Sequence, residues 1–229
     1  MISVIIPTLN AEATLAGTLG ALVPAAVAGL VREVLIVDGG SSDRTAAIVE
    51  HAGANLVQAS PGRGHQLKVG AARARFPWLL FLHADTALAA GWEHEVSVFM
   101  RAVDRQELPA AAAAFRFALD DTGTRPRVLE GLVALRCATL RVPYGDQGLL
   151  IPKRLYEEIG GYRPLALMED VDLVRRLGRG RVVLLRTAAV TSAERFRREG
   201  YLRRGARNLL CLTLWGLRVP IHVIARIYG

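Results

Sequence analysis

The sequence of 229 residues is poor in aromatic residues, lysine and cysteine, and each scarcity argues against a class of protein or site. Aromatic side chains make up 6% of the chain, too few for the base-stacking surfaces of a nucleic-acid binder, so we expect no nucleic-acid partner. Lys68 and Lys153 are the only lysines, so the net charge of +8 comes mainly from arginine. Cys137 and Cys211 lie far apart in apolar runs, which predicts two buried thiols and neither a disulfide nor a metal site.

The chain also lacks an apolar run of the about 20 residues that a membrane-spanning helix needs. Its positive charge is concentrated near the C-terminus, where residues 190–229 contain eight arginines and two glutamates, a net charge of +6. An apolar run at residues 208–217 follows several of these arginines. We therefore predict that residues 196–229 form a basic amphipathic helical extension, which docks on an anionic membrane surface or on a second subunit of a homodimer.

No cleavable signal precedes the first apolar run, which begins at Ile2. This start predicts a cytoplasmic protein, peripheral at the inner face of the cell membrane if the C-terminal extension docks there. Hydrophobic residues make up 52% of the sequence, enough for one folded domain with a substantial core over residues 1–195.

Short apolar runs alternate with helical patterns along most of the chain. Strands are predicted at residues 2–6, 33–37, 55–59, 78–82, 110–119, 147–151 and 182–185. Helices are predicted at residues 11–22, 43–51, 65–75, 125–141, 153–159 and 168–177. This alternation predicts an α/β fold in which a mostly parallel central sheet is covered by helices on both faces. Ligands of such sheets bind at the carboxyl ends of the strands.

Polar residues cluster at three predicted strand ends, at residues 7–10, 38–40 and 83–86. Asp38 and the two glycines after it could bind a nucleoside through its base or ribose, or could form a simple Asp-Gly turn. A dinucleotide site of the Rossmann type is not expected, because the first strand is not followed by the glycine-rich phosphate-binding pattern.

The third cluster predicts a metal site. A strongly apolar strand runs directly into His83 and Asp85, whose nitrogen and oxygen atoms suit Mn²⁺ or Mg²⁺ bridging a diphosphate. Two structural alternatives remain open. His83 could be a hydrogen-bonded histidine at the edge of the core, and Asp85 could cap the following helix.

Three carboxylates at Glu169, Asp170 and Asp172 begin a predicted helix. Acidic residues are common there because they interact favourably with the helix dipole, yet such crowding also raises the pKa of a carboxyl group, as a general base requires. Asp170 and Glu169 are the candidate bases, whereas Asp172 is expected to cap the helix or to face solvent.

Two glycine-containing segments add candidate ligand contacts. Arg63, which precedes a predicted helix, could bind phosphate together with free backbone N–H groups, or could lie in a flexible loop. Residues 144–148 hold Asp146 and Gln147 between glycines, which could line an acceptor pocket or form a turn.

Taken together and in order, residues 4–10, 36–45, 83–85 and 169–170 resemble the family 2 glycosyltransferases of GT-A fold. Residues 62–66, 82–86 and 145–147 resemble more narrowly a bacterial subgroup known as arsenosugar-biosynthesis-type or selenodomain-associated glycosyltransferases. The resemblance implies a hexosyltransferase that uses a nucleoside-diphosphate sugar donor and a hydroxyl-bearing acceptor, with inversion at the anomeric carbon. It also implies a divalent metal, Mn²⁺ or Mg²⁺.

The same resemblance assigns roles to individual residues. Asp85 matches the metal-binding carboxylate, Asp170 matches the catalytic base, and His83 stands where many relatives have aspartate. The acceptor role of Asp146 and Gln147 rests on their position between glycines, and not on the resemblance. The nucleotide and donor are assigned to Pro7, Thr8, Asn10, Glu12, Asp38, Gly39, Arg63, Gln66, Ala84, Asp85 and Arg195.

Two other functions would also suit an α/β sheet of this kind. A sugar-nucleotide pyrophosphorylase uses a similar sheet but needs a glycine-rich basic loop after the first strand, where this chain has residues 7–10 without glycine. A non-catalytic nucleotide-binding or membrane-associated scaffold protein remains the alternative, since His83 and the basic C-terminus are compatible with it.

Overall fold

The computed structural model describes residues 1–228 and contains one sheet of eight strands. The strands are β1 (Ile2–Thr8), β2 (Val31–Asp38), β3 (Asn55–Gln58), β4 (Trp78–Phe81), β5 (Thr86–Leu88), β6 (Ala112–Leu119), β7 (Leu149–Pro152) and β8 (Val182–Thr191). The helices are α1 (Leu15–Gly20), α2 (Val23–Val27), α3 (Thr45–His51), α4 (Arg63–Arg73), α5 (Trp92–Asp104), α6 (Thr124–Leu140), α7 (Lys153–Glu158), α8 (Glu169–Leu177), α9 (Glu194–Glu199), α10 (Tyr201–Gly216) and α11 (Ile221–Tyr228). Short 3₁₀ turns occur at Gly145–Gln147 and Arg179–Arg181.

The sheet has the order β3-β2-β1-β4-β7-β6-β8-β5. The first four strands of this order are parallel, β7 is antiparallel to both β4 and β6, and β8 is parallel to β6. Every residue of β1 is buried, as expected for a central strand with helices on both faces. One core contains Trp78, Trp92 and Phe115, and the core on the other face contains Phe81 and Tyr156. The predicted α/β fold with a mostly parallel sheet is confirmed.

Several element boundaries differ from the predictions for identifiable reasons. β1 continues through Pro7, which was expected to end it, because Pro7 lies beyond Ile5, where pairing with β4 stops. The helix predicted at residues 11–22 is confined to α1, and α2 follows it as a separate helix that was not predicted, with Pro24 in its first turn, where no hydrogen bond is lost. β8 is longer than predicted, because it pairs with β6 on one side and β5 on the other.

The segment after β4 shows whether Asp85 caps a helix, which the sequence left open. Asp85 is followed by the short strand β5, which was not predicted, and not by a helix. Asp85 therefore does not cap a helix. Its backbone carbonyl accepts a hydrogen bond from the Ser192 amide at 3.0 Å, which ties this turn to the end of β8.

The C-terminal helices pack on one another and on the rest of the chain. α10 contacts α6, α9 and α11, and a small core formed by Leu167, Met168, Val171, Cys211 and Ile224 joins α10 and α11 to the start of α8. Cys137 and Cys211 are buried free thiols, as predicted. None of the helices in residues 1–228 combines the length and the apolar character needed to cross a membrane. The predicted boundary between residues 195 and 196 falls inside α9, and the division at this point stays a prediction.

Candidate active site

A rim of polar residues surrounds the carboxyl ends of β1 and β2. Asp38 is buried at the end of β2, and its carboxylate accepts hydrogen bonds from the Thr8 hydroxyl at 3.0 Å and from the amides of Gly40 and Ser41 at 3.0 and 2.8 Å. Burial opposes ionisation of Asp38, but these hydrogen bonds outweigh it and hold its pKa below the ordinary value. Asp38 is thus an ionised carboxylate, and its hydrogen bonds to the Gly40 and Ser41 amides also stabilise the turn after β2.

The loops that follow β1 and β2 are joined across this rim. The Asn10 side-chain oxygen accepts a hydrogen bond from the Ser42 amide at 2.9 Å, and the Glu12 carboxylate accepts one from the Arg44 amide at 3.0 Å. Asn10 has a left-handed backbone with φ of 51°, a conformation that asparagine tolerates better than most residues. The predicted donor residues Thr8, Asn10, Glu12 and Asp38 therefore lie together, and Pro7 and Gly39 belong to the same two strand ends.

Gln66 lies beneath this rim and is buried. Its Nε2 donates hydrogen bonds to the carbonyls of Thr8 at 2.8 Å and Val37 at 2.7 Å. A Cβ at position 39 would come within 3.2 Å of the same nitrogen, so glycine allows this close approach. Gln66 clamps the two strand ends from α4, and its predicted contact with the donor stays a prediction.

A cavity of about 110 Å³ lies next to the rim and brings together residues far apart in the sequence. Six predicted site residues line it: Arg63, His83, Asp85, Asp146, Asp170 and Arg195. They come from the end of β4, the start of α4, the 3₁₀ turn before β7, the start of α8, and α9. Ala84 lies between two of these residues, and its carbonyl accepts a hydrogen bond from the Thr18 hydroxyl at 3.0 Å.

Asp170 is oriented by the backbone. Its Oδ2 accepts a hydrogen bond from the Gly145 amide at 2.6 Å, and its Oδ1 accepts one from the Val171 amide at 2.7 Å. Met168, just before α8, has φ of 62°, a strained conformation for a non-glycine residue that accompanies this tight entry to the helix. The Asp170 carboxylate is therefore held in one orientation at the wall of the cavity.

His83 packs against the same 3₁₀ turn. A Cβ at position 145 would lie 2.5 Å from His83 Nε2, so only glycine fits there. Burial, together with the nearby cations of Arg63 and Arg195, lowers the pKa of His83 well below its ordinary value. The imidazole is therefore neutral, which is the form that binds metal ions.

Arg63 is the first residue of α4, which excludes the flexible-loop alternative. Its guanidinium forms an ion pair with Glu169, a residue that is almost completely buried. Burial raises the pKa of Glu169, although Arg63 opposes this shift, and Glu169 Oε2 has no hydrogen-bond partner among the residues that the structure describes. Burial would lower the pKa of Arg63, but the carboxylates of Glu169 and Asp170 raise it, so the cation is kept.

Asp146 lines the cavity from the 3₁₀ turn before β7. Burial raises its pKa to about 6; Arg136 opposes the shift, and the neighbouring carboxylates of Asp170 and Asp85 add to it. Its Oδ1 has no hydrogen-bond partner within the described chain. Asp146 therefore holds a proton more readily than an ordinary aspartate, and one of its oxygens is free to bind a ligand.

Two neighbours of these residues differ from the predictions. Gln147 is buried, its Nε2 donates to the Phe115 carbonyl at 2.9 Å, and its Oε1 accepts from Cys137 and Arg136, so it does not line the cavity. Any effect of Gln147 on an acceptor would have to be indirect. The expectation that Asp172 caps α8 or faces solvent is wrong. Asp172 is buried, and its carboxylate forms ion pairs with Arg163 and Arg176.

The cavity also contains residues that the sequence analysis missed. Its remaining polar lining comes from Tyr144, Thr191, Ser192, Arg204, Asn208 and Tyr228. Arg204 and Asn208 are four residues apart on one face of α10, a spacing visible in the sequence, but nothing there indicated that this face covers the site. Within residues 1–228, Arg204 Nε and Asn208 Oδ1 are buried without hydrogen-bond partners, so both atoms can bond to a ligand.

The described residues contain no group of three or more His, Cys, Asp or Glu side chains arranged to hold a metal ion. His83 and Asp85 both line the cavity, so they can supply one nitrogen and one carboxylate ligand. Mg²⁺ bound by few protein ligands takes the rest from substrate phosphates and water. This pair therefore fits a metal that is completed by a diphosphate.

Comparison with known families gives one match. The family described as Glycosyl transferase family 2 matches residues 3–161, more than half of the chain. The matched segment includes the rim, β4 with His83 and Asp85, and the 3₁₀ turn with Asp146. A search of curated proteins found no match.

Solved structures share the fold. The crystal structure of S. aureus TarS has a TM-score of 0.62 at 18% identity over 93% of this chain, and the chain spans 39% of that protein. A TarS 1–349 structure gives 0.65 at 16% identity, covering 99% of this chain and 69% of the other. M. tuberculosis glucosyl-3-phosphoglycerate synthase with Mn²⁺, UDP-glucose and phosphoglyceric acid gives 0.64 at 22% identity, with 96% and 80% covered. The expected GT-A fold is thereby confirmed.

Proposed function

Because the chain belongs to glycosyl transferase family 2, as its sequence predicted, we propose that it transfers a sugar from a nucleoside-diphosphate sugar to a hydroxyl acceptor. One observation carries this proposal. The cavity gathers a neutral histidine, three aspartates and three arginines beside a polar rim that can bind a nucleoside. A scaffold protein, the alternative function, has no need of carboxylates collected in this way.

The donor would occupy two regions. Ligand pockets commonly measure about 300–1,000 Å³, so a cavity of about 110 Å³ is too small for a whole nucleotide sugar. We infer that the nucleoside lies along the rim, near Thr8, Asn10, Glu12 and Asp38, and that the diphosphate and sugar enter the cavity. Of the three arginines that line the cavity, Arg63 and Arg195 would contact the phosphates.

Asp85 and His83 would hold the divalent metal, Mn²⁺ or Mg²⁺, against the diphosphate. The similar glucosyl-3-phosphoglycerate synthase was crystallised with Mn²⁺ and UDP-glucose, which supports this proposal. When bound, the metal would act as a Lewis acid and stabilise the charge that develops on the departing diphosphate. Arg63 and Arg195 would stabilise the same charge.

Asp170 would act as the general base. It accepts the proton of the acceptor hydroxyl, whose oxygen attacks the anomeric carbon from the face opposite the diphosphate, so that the configuration is inverted. Two backbone amides orient its carboxylate, whereas Glu169 is engaged with Arg63. Asp146, Arg204 and Asn208 would contact the acceptor, because each has a buried polar atom without a partner at the cavity.

The finer assignments are also proposals. The motifs at residues 62–66, 82–86 and 145–147 support membership of the arsenosugar-biosynthesis-type or selenodomain-associated subgroup. We propose a catalytic domain at residues 1–195, a helical extension at residues 196–229, and a cytoplasmic location. Because α10 and α11 line the cavity, the extension would also complete the site.

The test is nucleotide binding with and without metal. Isothermal titration of purified protein with a panel of nucleoside diphosphates should show tighter binding in Mn²⁺ than in EDTA for one of them. Asp85→Ala should abolish this difference, and Glu50→Ala, an exposed acidic residue of α3, is the control. Equal affinity in Mn²⁺ and EDTA would remove the metal assignment. Binding without hydrolysis or transfer of any nucleotide sugar would favour the scaffold alternative.

A further inference from the structure

The outer surface of α6 carries an apolar stripe that nothing in the described chain covers. Val128, Leu132 and Leu135 are 62%, 59% and 60% exposed. Their spacing of four and three residues places them on one side of the helix, away from Leu129 and Val133, which pack on the core. Solvent-facing helix positions normally carry polar side chains, so an uncovered stripe of this length indicates an interaction surface.

α10 packs beside α6 and carries a similar stripe. Leu202 and Leu209 of α10, and Leu217 directly after its end, are 89%, 65% and 71% exposed. Their positions fall on the side of the helical wheel opposite Arg204 and Asn208, which line the cavity. The two helices contact each other, and we call their six exposed residues, Val128, Leu132, Leu135, Leu202, Leu209 and Leu217, the α6–α10 face.

Exposed arginines border the exposed apolar residues of the C-terminal helices. Arg203 follows Leu202, Arg218 follows Leu217, and Arg226 lies beside Ile227 on α11. These three arginines are exposed and form no ion pair within the described chain. Residues 190–229 carry a net charge of +6, and Glu199, one of their two acidic residues, is already paired with Arg204 and Arg207.

We propose that the α6–α10 face docks on the surface of an anionic lipid bilayer. Leucine and valine side chains bordered by arginine form the combination that binds such an interface, where apolar groups enter the lipid and cations meet the headgroups. A second copy of the chain is the poorer occupant, because two faces with the same positive charge repel each other. Docking would hold the cavity on the opposite side of α10 close to the membrane surface.

This inference does not depend on the proposed catalytic function, and point variants test it better than truncation does. Removal of α10 and α11 would uncover Leu167 and Met168 and would open the cavity. The double variant Leu132→Glu/Leu209→Glu changes only exposed side chains on the α6–α10 face. Val27→Glu is the matched control, because Val27 is 84% exposed on α2, at the other end of the chain.

Vesicles of phosphatidylcholine with about one third phosphatidylglycerol are floated with each protein, over a range of NaCl concentrations. The unmodified protein should float with anionic vesicles, should be released as salt rises, and should not float with pure phosphatidylcholine. The double variant should lose at least about tenfold in partitioning, since charge is placed where leucine enters the lipid. The control should stay within about twofold of the unmodified protein.

Failure of the unmodified protein to float with anionic vesicles at low salt would overturn the proposal. Equal binding by the double variant would also overturn it. A dimer in analytical ultracentrifugation that Leu132→Glu/Leu209→Glu dissociates would assign the face to a subunit contact instead. Circular dichroism and melting temperature establish that the variants are folded, and nucleotide binding should be unchanged in them, which separates this result from a failure of the catalytic proposal.

Discussion

At the scale of single residues, Asp170 is distinguished by how its carboxylate is held. Two backbone amides fix both oxygens, and the residue faces a cavity that it shares with Asp85 and Asp146. A carboxylate fixed in this way loses little entropy when it accepts a proton from a bound hydroxyl, because its orientation already exists. The role of Asp170 in accepting a proton can therefore be tested separately from donor binding.

Asp170→Asn should abolish transfer and spare donor binding. Asparagine keeps the size of the side chain but cannot accept the proton, so kcat should fall by about 10²–10⁴-fold. The measurement is kcat for transfer or donor hydrolysis, compared with nucleoside diphosphate affinity from titration. A near-normal kcat in Asp170→Asn would mean that another residue is the general base, and Glu169→Gln would then be the next variant to measure.

Gly145→Ala should inactivate the site without unfolding the protein. The added Cβ would lie 2.5 Å from His83 Nε2 and 3.3 Å from Asp170 Oδ2, so both side chains must move. Misplaced groups of this kind commonly cost about 10²-fold in rate. The control is Gly131→Ala on α6, where an added Cβ meets nothing within 4 Å. A wild-type kcat in Gly145→Ala would show that the rate of transfer does not depend on the exact positions of His83 and Asp170.

At the scale of elements, α4 positions both regions of the site. It begins with Arg63 at the cavity, and Gln66 one turn later clamps the ends of β1 and β2. The helix lies very close to the sheet, because Gly70 faces Ile5 and Val37 without a side chain. Close packing of α4 is therefore a condition for the geometry of the rim.

Gly70→Ala should destabilise the fold. Its Cβ would come 2.4 Å from Ile5 Cγ2 and 2.9 Å from Val37 Cγ2, and overpacking of this kind costs about 1–3 kcal/mol in the free energy of unfolding. Gly17→Ala on α1 is the control, since an added Cβ there has no neighbour within 4 Å and alanine favours a helix. The free energy of unfolding of each variant, measured by chemical denaturation, is compared with that of the unmodified protein. Equal stability would mean that α4 can shift away from the sheet.

At the scale of the whole molecule, the collected carboxylates act against stability. Asp146 has a folded-state pKa of about 6 against an ordinary value of 3.8. The folded protein therefore binds this proton more tightly than the unfolded chain does. The free energy of unfolding contributed by Asp146 is highest below pH 4 and falls as the pH rises from about 4 to 6, after which it stays constant.

Asp146→Asn should remove this decrease in the free energy of unfolding and should therefore stabilise the protein at neutral pH. The gain should be on the order of 3 kcal/mol at pH 8 and should become small near pH 4, because only ionised Asp146 is unfavourable. Urea denaturation of both proteins from pH 4 to 8, in EDTA to exclude bound metal, makes the test. A constant difference at every pH would show that the effect comes from packing and not from the charge.

Much of this architecture could be predicted from the sequence. Apolar runs located seven of the eight strands, since a buried strand has a distinctive local pattern. β5 was missed, because three residues are too few to form a pattern, and α5 was not identified, although its acidic first turn and apolar face are visible. The polar clusters at strand ends predicted the rim and the cavity, because parallel strands bring their carboxyl ends to one edge.

The sequence by itself determined the α/β fold, the family, and the residues that lie at the ends of β1, β2 and β4, because each depends on local pattern or short motifs. Only the tertiary structure decided how distant segments combine. The Arg63–Glu169 pair joins residues 106 positions apart, and Arg204 and Asn208 reach the cavity only because α10 folds back over it. Such contacts depend on the packing of whole helices, and no local pattern encodes that packing.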